Sequence, residues 1–158
     1  VAGSTVVLLC GPAGSGKSTY ARALERAGAV RLSYDQEYWE RGYRGPHPVP
    51  QELAREVKGA LDRRLEDALH AAIPEIVLDY SFSTRAMREE YRATAARFGA
   101  ATRLVHVTAP VEVLVQRVAA RSGAHADDAV LDEATVRAYA EGFEAPGPDE
   151  EHEVVRTG

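Results

Sequence analysis

Gly11-Pro12-Ala13-Gly14-Ser15-Gly16-Lys17-Ser18 is the stretch of this chain whose residue types and spacing most directly imply chemistry. Glycines at the first, fourth and sixth places let backbone amides turn inward and approach an anion closely. The ammonium of Lys17 reaches the outer phosphates of a bound nucleotide, and the Ser18 hydroxyl is placed to ligate the Mg²⁺ that bridges them. Thr19 follows directly and can hold an inner phosphate. The whole eight-residue pattern, between an apolar run and a helical pattern, is specific for nucleotide binding. It says little about what else is bound.

Other candidate groups fall at the ends of apolar runs. Asp35 could orient an alcohol and take its proton during attack on a γ-phosphate, or it could cap a turn. Tyr34, Tyr38 and Trp39 around it read either as the wall of an acceptor pocket or as core aromatics. Asp79 ends another apolar run and fits either the hydration shell of the Mg²⁺ or a plain strand end. Arg85 could contact an acceptor or phosphate, and Arg88 reads mainly as an exposed helix arginine. Arg117 and Arg121 stand four residues apart, so they share one helix face. They could close over the phosphates of the nucleotide, or simply complement a helix C-terminus. Cys10 reads as a small buried hydrophobe. The five histidines show no metal-ligand spacing.

These groups need a scaffold, and the pattern of apolar residues supplies one. Thr5 to Cys10 is a continuous apolar run suited to a strand buried on both faces. A helix from about Lys17 stops near Gly28, and Val30, Leu32 and Tyr34 mark a second strand over Ala29 to Tyr34. Glu40 to Pro50, rich in Gly, Pro and Arg, is a loop. Leu53, Val57, Leu61, Leu65 and Leu69 make the stripe of a long helix closed by Pro74. Ile76 to Asp79 is a third strand. Met87, Tyr91, Ala95 and Phe98 mark a helix ended by Gly99. Leu104, Val105 and Val107 make a fourth strand, and Val111, Leu114 and Val118 the helix after it. Ser122 to Asp132 is small and polar, and is expected to act as a mobile lid. Asp132 caps a last helix through Phe143, and Glu153 to Arg156 forms a fifth strand. Alternation of this kind predicts one α/β domain over residues 1–158, a parallel sheet with helices on both faces.

Composition narrows the classes. With 45% hydrophobic and 27% charged residues, the 158-residue chain is of ordinary globular type. No apolar stretch is long enough to span a membrane. The formal charge of −5 weighs against general nucleic-acid binding. One cysteine allows no internal disulfide, and a cytoplasmic setting is expected.

Five pieces in this order resemble one group, the small P-loop kinases that include zeta toxins, chloramphenicol phosphotransferase, the kinase part of polynucleotide kinases and many AAA-type ATP-binding proteins. They are GPAGSGKS at Gly11 to Ser18, SYD at Ser33 to Asp35, VLDYSFSTRAMR at Val77 to Arg88, QRVAAR at Gln116 to Arg121, and FEAPGPDE at Phe143 to Glu150. The resemblance implies a P-loop fold with strand order 2-3-1-4-5 and ATP with Mg²⁺ as the phosphoryl donor. It also matches Asp35 to the acceptor-activating aspartate, Arg117 and Arg121 to lid arginines, and FEAPGPDE to the segment leading into the last strand near the adenine. Polynucleotide kinases tend to carry an arginine three residues after the base, where this chain has Tyr38. The expected activity is phosphoryl transfer from ATP to a hydroxyl of a small molecule, such as an antibiotic or metabolite. A polynucleotide 5′-hydroxyl kinase and an ATPase or switch without an acceptor are the alternatives.

Overall fold

The computed structural model describes residues 3–121, 125–126 and 131–158. Its sheet is built on β1 (Thr5–Cys10), whose residues Val6 to Cys10 are all fully buried. Because side chains alternate across a strand, β1 feeds two cores. Val6, Leu8 and Cys10 join one, with the stripe Val57, Leu61, Leu65 and Leu69 of α3 (Gln51–His70) and with Tyr91 and Ala95 of α4 (Arg85–Arg97). Val7 and Leu9 join the other, with Ala21 of α1 (Lys17–Arg26). Burying one such leucine contributes roughly 1.5–3 kcal/mol, so the four-residue stripe of α3 is enough to fix that helix on the sheet.

The strands β2 (Val30–Ser33), β3 (Glu75–Asp79), β4 (Ala101–Thr108) and β5 (Glu153–Arg156) complete a five-stranded sheet in the order β2-β3-β1-β4-β5. Every pairing is parallel. The expected order is therefore the observed one. The helices α5 (Val111–Ala119) and α6 (Glu133–Glu141) pack together through Leu114, Val118 and Val136, with Ala13 against them. Asp132 caps α6 by accepting from the Thr135 amide at 2.7 Å. The rest of the expected lid lies mostly outside the described residues. No helix among the described residues is long and apolar enough to cross a membrane.

One element differs from the reading of the sequence. The second strand stops at Ser33, and Tyr34 opens a short helix, α2 (Tyr34–Glu40). Its cause is local: the Ser33 hydroxyl accepts from the Gln36 amide at 3.2 Å, which caps the first turn. Ser33 and Gln36 have the spacing of a capping box, a signal present in the sequence.

Candidate active site

The C-terminal ends of β1, β2 and β3 form one rim, the edge at which parallel sheets collect ligands. From β1 the chain turns through Gly11 to Gly16 and enters α1. Gly14 and Gly16 take φ of 85° and 103°, a left-handed conformation that a side chain would strain. Gly16 is the N-cap of α1 and brings no side-chain acceptor; α3 and α5, which begin after Pro50 and Pro110, also lack one, whereas α2, α4 and α6 are capped by Ser33, Thr84 and Asp132. The first-turn amides of α1 are thus left to an anion from outside, with the helix dipole behind them.

The loop is held from its outer side. Arg117 Nη1 donates to the Gly14 carbonyl at 3.0 Å and to Thr157 Oγ1 at 2.8 Å. Thr157 in turn donates to the Ser15 carbonyl at 2.6 Å. Engaging the carbonyls there favours amides turned toward the interior of the loop. Arg117, a candidate either for closing over phosphates or for complementing a helix end, here secures the backbone of the loop. Arg121 lies farther along, lining a cleft with Gly14, Gly16 and Thr19.

Inside the rim, Asp79 is the hub. Its carboxylate accepts from Ser18 Oγ at 3.0 Å and from Arg31 Nη2 at 2.6 Å, and Lys17 Nζ stands 3.6 Å from its other oxygen. Burial pushes the Asp79 carboxyl up, but Lys17 and Arg31 outweigh burial and hold it below the usual aspartate range. The carboxylate is therefore charged. Its Oδ1 has no hydrogen-bond donor among the described residues. Ser18 spends its proton on Asp79, which leaves the hydroxyl oxygen free to ligate a cation. That donor set fits a hydrated Mg²⁺ bound by Ser18 directly and by Asp79 through water. Arg31 carries no motif signal in the sequence. Its register partner is Val77, so it reaches diagonally along β3 to Asp79, the partner of Ser33.

Two clefts meet at the phosphate loop and share no lining residue. One, of about 620 Å³, runs past Gly14, Gly16 and Thr19 to Arg117, Arg121 and Thr157. The other, of about 420 Å³, runs past Pro12, Ala13 and Lys17 to Asp35 and Tyr38. Asp35 sits in the first turn of α2. Tyr38 is driven up to about 12 by burial first, then by the neighbouring Tyr34 and the charge of Asp35. Tyr34, Tyr38 and Tyr80 form linked ring contacts, with centroids 4.7 Å apart for Tyr34 and Tyr80. The aromatics near Asp35 thus serve both readings, since Tyr38 packs in the core and also lines the cleft.

Trp39 and Arg85 do not join this cleft. Arg44 lies over the Trp39 ring at 3.5 Å from its centroid. Arg85 binds Glu89 at 3.0 Å and Asp149 at 2.5 Å, beside a separate polar cleft. Arg88 corrects the sequence reading outright. It is not an exposed helix arginine but is buried to 1% exposure, paired with Glu150 at 2.8 Å and donating to the Phe82 carbonyl at 2.8 Å. The segment ending at Glu150 is therefore pinned to α4, and Val155 and Thr157, which follow it, line the cleft beside Thr19. Cys10 is fully buried, and burial pushes its thiol up to about 11, which keeps it an inert core residue.

Comparison with known proteins agrees with this architecture. A family model described as an AAA domain matches residues 6–146. No curated protein matches the chain significantly. Among solved structures, an unliganded sugar kinase from Janibacter sp. HTCC2649 is similar at 22% identity and a TM-score of 0.63, covering 98% of this chain and 85% of that one. A gluconokinase from Sinorhizobium meliloti 1021 is similar at 20% identity and a TM-score of 0.61, covering 98% and 82%. A chain of the Pnkp1/Rnl/Hen1 RNA repair complex is similar at 19% identity and a TM-score of 0.64, covering 91% of this chain and 47% of that one. The protein belongs to the AAA domain family and has the fold of the small P-loop kinases.

Proposed function

We propose that this protein transfers the γ-phosphoryl group of Mg·ATP to a hydroxyl of a small molecule. The observation that carries the reading is the phosphate loop standing as the common wall of two clefts, with Asp35 in one and Arg117 and Arg121 in the other. Hydrolysis alone would need no second cleft equipped with a carboxylate. Nucleoside and inner phosphates belong beside Thr19 and α5, and the γ-phosphate belongs at Lys17, on the side of the loop that faces the cleft of Asp35.

The residues then divide the work. The α1 amides and Lys17 hold the triphosphate, and Ser18 with Asp79 would hold Mg²⁺, whose charge offsets that of the phosphates. Arg31 keeps Asp79 ionised and aimed at Ser18 and Lys17. Asp35 accepts a hydrogen bond from the acceptor hydroxyl, aligning it with the γ-phosphorus. As the acceptor oxygen bonds to phosphorus, the bond to the β–γ bridging oxygen breaks, and its electron pair leaves with ADP. The hydroxyl proton passes to Asp35. Arg117 keeps the loop in shape, and Arg121 stands beside it to meet phosphate charge. Positioning and charge account for most of such a reaction, because the transition state is loose.

Mg·ATP with a panel of alcohols, read as ADP released and phosphate bound to the alcohol, tests this. Stoichiometric phospho-alcohol is expected from at least one member. ATP hydrolysis that no alcohol accelerates or diverts would favour an acceptor-free ATPase or switch.

A further inference from the structure

Resting on the kinase reading, we infer that the acceptor is a ring-bearing alcohol that is neutral or cationic, and that alcohols carrying carboxylate or phosphate are rejected. The charge inventory of the acceptor cleft carries this. Among the described residues lining it, the permanently charged side chains are Asp35, Asp79 and Lys17. Lys17 is committed to Asp79 and to the triphosphate, so no permanent cation remains for an anionic group on the acceptor, and His47 is the one other lining side chain that can take on a positive charge among the described residues. The other cations nearby are engaged elsewhere. Arg41 pairs with Glu37, Arg44 lies on Trp39, Arg85 pairs with Glu89 and Asp149, Arg88 with Glu150, and Arg137 with Glu112 and Glu133. The sequence closes the remaining route. From Ser122 to Val136 there is no Lys or Arg, while Asp127, Asp128, Asp132 and Glu133 are acidic, so apart from His125 this stretch holds no side chain that could bring a positive charge to the cleft.

What the cleft offers instead is ring surface. Tyr34, Tyr38, Tyr80, Tyr139 and Phe143 line it. Tyr80 is fixed at the base by tilted or edge contacts to Tyr34, Phe82 and Tyr91. Tyr139 is 42% exposed, an aromatic left open to solvent on this wall. Aromatic faces are electron-rich and take another ring or a cation, and they do nothing for a carboxylate. A triphosphate arriving at Lys17 raises the negative charge beside the cleft further.

A matched set of acceptors tests the idea on the intact chain: para-methylbenzyl alcohol, para-aminomethylbenzyl alcohol and para-carboxybenzyl alcohol, with gluconate and a 5′-hydroxyl oligonucleotide as anionic comparators. Phosphorylation is read as kcat/KM, and binding by saturation-transfer NMR with a non-hydrolysable ATP analogue. The neutral and amine alcohols should exceed the carboxylate by at least about tenfold, the scale of one unfavourable charge contact. Tyr139→Arg should narrow or reverse that ratio. Equal or better use of para-carboxybenzyl alcohol, gluconate or the oligonucleotide overturns the inference and leaves the kinase reading intact. If Mg·ATP binds but every alcohol neither binds nor reacts, the kinase reading itself fails, and this inference with it.

Discussion

Asp35 and Lys17 stand on the same cleft but should fail differently when changed. Asp35→Asn keeps shape and loses basicity, so acceptor phosphorylation should fall by ~10²–10⁴. Mg·ATP affinity should be nearly unchanged, and ATP hydrolysis by water should fall much less. Both rates are to be measured on one preparation. A parallel fall would move Asp35 into the metal shell. Lys17→Ala instead removes a charge-assisted contact worth ~1.5–3 kcal/mol, which corresponds to roughly 10- to 100-fold in Mg·ATP affinity by calorimetry. The fold should survive, because Arg31 still faces Asp79. Wild-type affinity in the folded variant would misplace the triphosphate. At this scale the sequence was informative where chemistry is local, as in Gly11 to Ser18. Arg31 was illegible for a physical reason. Its partner is 48 residues away and becomes a neighbour only once β2 lies beside β3.

In the proposed kinase reading, the short helix α2 is the element on which acceptor alignment would depend. It has little length to stabilise itself, so the Ser33 cap and the buried Glu37, bound by Arg41 and Arg64, carry much of its order. Ser33→Ala should lower stability by about 1 kcal/mol, a few degrees in a thermal melt. It should also raise the acceptor KM more than the ATP KM, because Asp35 is in the first turn. Equal changes in both would mean that α2 does not position the acceptor. The sequence reading carried the strand one residue too far because Val30, Leu32 and Tyr34 alternate. Alternation and a capping signal competed there, and the cap prevailed because Ser33 satisfies an amide that the strand would leave open.

Across the whole molecule, Arg88 and Glu150 lock α4 to the approach to β5. Arg88, Tyr91 and Ala95 fall three and four residues apart on one helical face, so burial of Arg88 follows from spacing. What the sequence hid was the carboxylate 62 residues on that makes such burial tolerable. Hydrogen bonds from Arg88 depress Glu150 from 4.5 to about 2, against its burial, with Arg92 adding to the effect. A depressed carboxyl contributes stability above its unfolded value and loses it as pH falls through its folded one. The melting temperature should therefore drop between about pH 4.5 and 2. Glu150→Gln leaves Arg88 buried without its charge partner and should cost about 3–5 kcal/mol near neutral pH, with a flatter acid limb. An unchanged acid limb would show that the pair does not govern it. The two clefts that share the phosphate loop have a kinetic consequence. If donor and acceptor occupy these two clefts, which share no lining residue, neither must leave before the other arrives, so turnover should pass through a ternary complex reached in either order. Initial-rate plots at several fixed acceptor concentrations should then intersect, and ADP should compete with ATP alone. Parallel lines would instead require the phosphoryl group to rest on the protein between two half-reactions.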